Sequence, residues 1–141
     1  MKVLVSACLL GENCKYSGGN NLCPRLLDWL AREGHEAVPV CPEQLGGLPT
    51  PRTPAEIADG VVMTRDGKSV DREFRQGAAL ALEIAGREEI GLAVLQPRSP
   101  SCGAKQVYDG TFTGRKVPGT GIFAGLLAEN GIRTLEPEDL P

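Results

Sequence analysis

Short apolar runs alternate with segments of helical period along this chain, and that alternation restricts the fold more than any other feature. Four short runs are predicted strands, and they span residues 2–7, 35–40, 90–95 and 132–135. The first and third are mostly apolar, as strands buried on both faces are. Three segments carry apolar residues on one side and are predicted helices, and they span residues 24–32, 71–87 and 119–130. Strands separated by helices form parallel sheets, because the chain must cross back before each new strand.

The predicted fold is therefore a small α/β domain, Rossmann-like or flavodoxin-like, with a mostly parallel sheet and helices on both faces. No linker or repeat divides residues 1–141, so we expect one domain. Residues 41–57 form a loop stiffened by four prolines. Residues 61–64 and 69–70 suggest a hairpin turned at Asp66-Gly67, and 108–118 is irregular or a second hairpin. Asp71 is the expected cap of the long helix.

Charge and hydropathy restrict the partners of the chain. Lys and Arg total 15 against 18 Asp and Glu, a net charge of −3, with no basic run. That balance argues against a protein that grips nucleic acid through many phosphates, and a small-molecule ligand fits better. No apolar run is long enough to cross a membrane, and the stretch before Cys8 is too short for a signal peptide. We expect a cytoplasmic location with reduced thiols.

A single histidine limits the available chemistry. His35 is the only imidazole, so metal sites that need two or more imidazoles from one chain are excluded. It lies where a helix ends and a strand begins, at the edge opposite to the one where α/β active sites form. Catalysis through imidazole is therefore not expected.

Five cysteines remain as candidate ligands, namely Cys8, Cys14, Cys23, Cys41 and Cys102. Cys8, Cys41 and Cys102 each follow a predicted strand, so the sheet should bring them to its carboxyl edge, where α/β proteins bind ligands. Thiolates without histidine suit zinc or an iron–sulfur cluster. Three protein ligands would leave one metal position open, as a catalytic metal requires. Either Cys14 or Cys23 could supply a fourth ligand.

Polar side chains accompany these thiols. Glu43 stands two residues after Cys41, and Ser99 three residues before Cys102. A carboxylate near thiolates and away from bulk water holds its proton more tightly, which suits proton transfer near neutral pH. Arg52 and Arg98 could offset negative charge or hold an anion. The Gly119-Thr120-Gly121 motif follows no recognisable strand and is a weak dinucleotide signal.

The motifs together resemble those of the thiouracil desulfidase family, formerly a bacterial domain of unknown function. The resemblance covers essentially the whole chain and is carried by Ser6-Ala7-Cys8-Leu9-Leu10-Gly11, Lys15-Tyr16-Ser17-Gly18, Cys41-Pro42-Glu43, Gly47-Leu48-Pro49-Thr50-Pro51-Arg52, Ser99-Pro100-Ser101-Cys102-Gly103, Tyr108-Asp109-Gly110 and residues 119–127. Many relatives have Asp or Asn where this chain has Ser17.

The resemblance implies a [4Fe-4S] cluster held by Cys8, Cys41 and Cys102, with one iron free of protein ligands. It also implies that Glu43 and Ser99 act on the substrate, a thiolated nucleobase or nucleotide such as 4-thiouracil or 2-thiouracil. The implied reaction is a non-redox desulfidation that gives uracil and hydrogen sulfide. The substrate sulfur would bind the open iron, since soft sulfur prefers it to a hard oxygen.

Two other readings of the same residues stay open at the level of sequence. One is a zinc-dependent or thiol-dependent hydrolase that uses Cys8 or Cys102. The other is a sensor without enzymatic activity that binds an iron–sulfur cluster or a nucleotide.

Overall fold

The computed structural model describes residues 1–141. Its strands are β1 Lys2–Ser6, β2 Glu36–Val40, β3 Ala55–Ala58, β4 Val61–Thr64, β5 Leu92–Val94, β6 Gln106–Tyr108, β7 Lys116–Pro118 and β8 Arg133–Leu135. Its α-helices are α1 Pro24–Glu33, α2 Pro42–Leu45, α3 Asp71–Arg87 and α4 Ile122–Glu129. Two short 3₁₀ turns span Ala7–Leu10 and Pro137–Asp139.

Four strands form one parallel sheet in the order β2-β1-β5-β8. The chain runs from β1 outward to β2 and then crosses to β5 on the other side of β1. The strand order therefore reverses at β1, and the crevice between the ends of β1 and β5 is the place where such sheets bind ligands. The predicted parallel α/β fold is confirmed.

Both faces of this sheet are covered, because successive side chains of a strand point to opposite faces. Leu4, Ala93 and Leu95 pack with α3 and α4 on one face. Val3, Val5 and Val94 pack with α1 on the other. The long helix has the predicted bounds, and α1 ends one residue later than predicted, before Gly34 in the left-handed conformation.

The hairpin prediction was wrong in its pairing. β4 pairs with β3, which lies before it, and the turn is Asp59-Gly60. Both turn residues have positive φ, 50° and 78°, which is the backbone of the tight turn that Asp-Gly favours. Around Asp66-Gly67 only one isolated bridge forms, between Met63 and Ser69. Residues 108–118 do contain a hairpin, made by β6 and β7.

Asp71 does not cap α3. It is the first residue of the helix, which follows Val70, and its carboxylate accepts the Val62 N–H at 3.0 Å and the Arg75 Nε–H at 2.7 Å. The side chain therefore fastens the helix to β4 instead of satisfying the helix's own first N–H groups.

The short helix α2 rests on α3 with no space between the two backbones. A Cβ added at Gly77 would lie 1.8 Å from the Pro42 carbonyl oxygen, and one added at Gly46 would lie 2.0 Å from the Glu73 carbonyl oxygen. Only glycine permits this approach. Because α2 carries Glu43, the contact fixes the height of that carboxylate above the sheet.

His35 lies at the amino end of β2, away from the ligand-binding edge, as expected. Its ring packs against Trp29 with the two ring centroids 4.8 Å apart. It is half-buried, not a solvated loop side chain. None of the helices has the length and apolarity that crossing a membrane would require.

We predict that Gly77→Ala lowers the free energy of unfolding by about 1–3 kcal/mol, because the added methyl group forces α2 away from α3. Gly86→Ala in the same helix is the matched control. A Cβ there meets nothing within 4 Å, and we expect up to about 1 kcal/mol of stabilisation from the better helix former. Urea denaturation of both variants measures the difference, and equal effects would contradict the close approach.

Candidate functional site

Three cysteines lie at the carboxyl edge of the sheet. Cys8 lies in the 3₁₀ turn after β1, Cys41 lies between β2 and α2, and Cys102 follows β5. The strand register aligns their starting points, because Ser6 pairs with Val40 and Val5 pairs with Val94. The Ser6 hydroxyl also accepts the Gln96 N–H at 2.9 Å, which ties the end of β1 to the loop after β5.

The thiols of Cys8 and Cys102 are buried, that of Cys41 is half-buried, and they lie close enough to affect one another's ionisation. Burial raises the pKa of Cys102 to about 12, and the charges of Glu43 and Cys8 add to the increase. Hydrogen bonds with the hydroxyls of Ser6 and Ser101 oppose it. Burial also raises the pKa of Cys8, and the charges of Cys41 and Glu43 add to the increase. A hydrogen bond from Asn21 lowers this pKa and so opposes both effects. Without a metal to stabilise the thiolates, these two sulfurs keep their protons at neutral pH.

Cys14 joins this group and Cys23 does not. The Cys14 carbonyl oxygen lies 3.7 Å from Cys41 Sγ. Burial raises the pKa of the Cys14 thiol, and the neighbouring thiols of Cys41 and Cys8 add to the increase. Cys23 precedes α1, where its backbone carbonyl accepts the first N–H groups of that helix. Cys14 is therefore placed beside the three predicted ligands, while Cys23 serves the start of a helix.

Asn21 is a site residue that the sequence analysis missed. Its side-chain N–H donates to Cys8 Sγ at 3.5 Å, and its carbonyl oxygen accepts from Lys15 Nζ at 3.3 Å. A hydrogen bond from an amide to sulfur stabilises the thiolate form. No local sequence signal identifies Asn21, because it reaches Cys8 only when the 11–23 loop folds back.

Glu43 lies near Cys8 and Cys102, and its carboxylate has two partners. It forms an ion pair with Arg52 at 2.9 Å, and it accepts the Ser101 hydroxyl at 2.8 Å. Arg52 is thus the cation that offsets negative charge here, whereas Arg98 is exposed and forms no ion pair.

Ser99 reaches Glu43 only through Ser101. Its Oγ accepts the N–H groups of Ser101 and Cys102, both at 3.1 Å, and lies 2.9 Å from Ser101 Oγ. These bonds shape the loop that presents Cys102. Gly121 packs on the same loop, where a Cβ would lie 2.5 Å from the Ser101 carbonyl carbon. The glycines at the start of α4 therefore serve packing, and not a dinucleotide.

The donor chemistry fits an iron–sulfur cluster. The sulfurs are soft ligands, the site contains no imidazole, and it lies at the crevice where ligands bind. The structure contains no group of three or more His, Cys, Asp and Glu side chains spaced to hold a single metal ion. In a cluster, each thiolate binds a different iron atom. An open cavity of about 210 Å³ adjoins this site, lined in part by Ala7 and Cys41.

Comparison with known proteins agrees with the motifs. The 2-thiouracil desulfurase family matches residues 3–139. The uncharacterised protein YbbK of Bacillus subtilis (strain 168) is 36% identical over 148 residues, which cover 98% of this chain and 97% of that protein. The solved structure of the [4Fe-4S]-dependent thiouracil desulfidase TudS superposes with a TM-score of 0.92 at 42% identity, covering 99% of this chain and 93% of that one. The resemblance inferred from the motifs is confirmed, and this chain belongs to the 2-thiouracil desulfurase family.

Proposed function

We propose that this protein is an iron–sulfur-dependent desulfidase that hydrolyses the C–S bond of a small thiolated pyrimidine, such as 4-thiouracil or 2-thiouracil. The observation that carries the proposal is that the buried thiols of Cys8 and Cys102 and the half-buried thiol of Cys41 lie with the Glu43 carboxylate at the switch point of the sheet. The TudS structure, at 42% identity, supports the cofactor and the substrate class.

Cys8, Cys41 and Cys102 would hold a [4Fe-4S] cluster. Each comes from a different loop, and each sulfur has a polar neighbour: Asn21 for Cys8, the Cys14 carbonyl for Cys41 and Ser101 for Cys102. When bound through only three cysteines, the cluster supplies an iron with a free position that attracts a thiocarbonyl sulfur and polarises its C–S bond.

The protein's own residues would supply the base. Glu43 would take one proton from a water molecule whose oxygen forms the new C–O bond. As the carbon–sulfur bond breaks, its electron pair leaves with the sulfur, and Glu43 gives that proton to the sulfide. The second proton of the water leaves the new C–OH group for the sulfide or the solvent, so the products are uracil and hydrogen sulfide. Sulfur is replaced by oxygen on the same carbon, so no external reductant or oxidant is consumed. Ser99 would help to orient the base ring through the loop that it shapes, because its own Oγ already bonds to Ser101 Oγ and to the N–H groups of Ser101 and Cys102.

We predict that the protein, loaded anaerobically with iron and sulfide, converts 4-thiouracil or 2-thiouracil to uracil and hydrogen sulfide in equal amounts. Chromatography of uracil and colorimetric assay of sulfide measure both products, with the cluster-free protein as control. Absence of sulfide release from fully loaded protein would reject the proposed reaction.

We further predict that Cys8→Ser, Cys41→Ser and Cys102→Ser each lose most of the bound iron and its visible absorption, because a hard hydroxyl replaces a soft ligand. Cys23→Ser is the control and should bind iron like the wild type. Iron and acid-labile sulfide per chain measure the outcome. A cysteine variant that keeps full iron content would remove that cysteine from the ligand set.

Glu43→Gln should keep its iron and lose turnover by about 10²–10⁴-fold, the usual contribution of a general base. Glu83→Gln, an exposed change on α3, serves as the control. Steady-state kinetics beside iron analysis separates loss of the base from loss of the cluster. Wild-type turnover in Glu43→Gln would rule out Glu43 as the base.

A further inference from the structure

The Glu43 carboxylate is held from both sides. Arg52 donates to Oε1 through Nε at 3.0 Å, and a terminal nitrogen of Arg52 lies 2.9 Å from the same oxygen as an ion pair. Ser101 donates to Oε2 at 2.8 Å. A carboxylate has about four acceptor positions, two on each oxygen. Each oxygen of Glu43 is therefore held by a hydrogen bond and keeps a position free.

Arg52 is itself fixed in place. Its side chain is only 8% exposed. One terminal nitrogen donates to the Pro49 carbonyl at 3.1 Å and to Thr50 Oγ1 at 3.0 Å, and the other donates to the Cys14 carbonyl at 2.8 Å. Arg52 therefore joins the carboxylate to the loop that carries Cys14. The planar guanidinium makes these contacts at fixed angles, which a lysine ammonium cannot do.

The direction of the bonds around Ser101 follows from counting protons. The Ser101 hydroxyl has one proton and two acceptors within reach, Glu43 Oε2 at 2.8 Å and Cys102 Sγ at 3.7 Å, and the shorter contact takes the proton. Between Ser99 and Ser101, 2.9 Å apart, Ser99 must then be the donor. Ser99 Oγ also accepts two backbone N–H groups, which uses its remaining capacity. The chain of bonds runs in one direction, from Ser99 through Ser101 to Glu43.

The backbone of Ser101 is rigid as well. Its carbonyl oxygen accepts the Phe123 N–H at 2.9 Å and the Ala124 N–H at 3.0 Å, at the start of α4. Gly121 packs directly on it, and the Ser101 residue is only 2% exposed. Ser101 therefore holds Glu43 from a support that does not move with α2.

We propose that Arg52 and Ser101 are positioning residues that hold the Glu43 carboxylate from both sides and aim it at the attacking water. The inference rests on the proposed function of Glu43. With either partner removed, the carboxylate can rotate away from the line of attack. A displacement of about 1 Å from a reactive geometry can cost about 10²-fold in rate.

The test compares Arg52→Gln, Arg52→Lys and Ser101→Ala in the loaded enzyme, each alone and combined with Glu43→Gln. We expect kcat to fall about 10–100-fold in Arg52→Gln and Ser101→Ala, with KM nearly unchanged and iron content like that of the wild type. Arg52→Lys should recover part of the loss, because it keeps the charge. Combined with Glu43→Gln, the same substitutions should add little further loss, since they act through a base already removed.

Arg75→Gln and Ser69→Ala are matched controls that remove similar hydrogen bonds far from the site, and they should keep wild-type kcat. Crystal structures of cluster-free variants give a readout independent of activity, and the Glu43 carboxylate should turn away from its wild-type orientation. Unchanged kcat, loss of iron in step with kcat, or full multiplication of losses in the double variants would overturn the inference. A wild-type enzyme that releases no sulfide would instead reject the proposed function itself.

Discussion

The parallel alignment of β1, β2 and β5 is the constraint on which the rest of the site depends. Backbone hydrogen bonds between these strands fix where each following loop begins, so residues that are 33 and 61 positions apart in sequence start from one edge. The strand order reverses at β1, which leaves a crevice that no connecting chain fills. The loops themselves are irregular, but the regular hydrogen bonds between the strands set the positions from which the loops, and so their thiols, start.

The loops are held to that edge by polar contacts. Ser6 connects β1 to the loop after β5, and Asn21 connects the 11–23 loop to Cys8. Arg52 brings together Glu43 and the Cys14 carbonyl. Every one of these contacts satisfies a buried or half-buried polar group that would otherwise destabilise the fold. The groups that stabilise the loops are therefore also the groups that surround the reactive sulfurs.

Sequence alone predicted the sheet, the main helices and the place of Cys8, Cys41, Cys102 and Glu43, because all of these follow from periodicity along the chain. It did not predict the contacts of Asn21, Arg52 and Ser101, which join residues 13, 38 and 58 positions apart. Such pairs leave no local pattern. The hairpin was misplaced for a different reason: two Asp-Gly turns lie within ten residues, and tertiary packing selects the first.

The cysteines are divided between two separate hydrophobic cores. Cys102 packs with α3 and α4 on one face of the sheet, whereas Cys8 and Cys14 pack with α1 on the other. Any group bonded to both Cys8 and Cys102 thus links the two layers that lie on opposite faces of the sheet. Neither layer could then melt without releasing the group, so the thermal resistance of the protein would report how fully it is loaded.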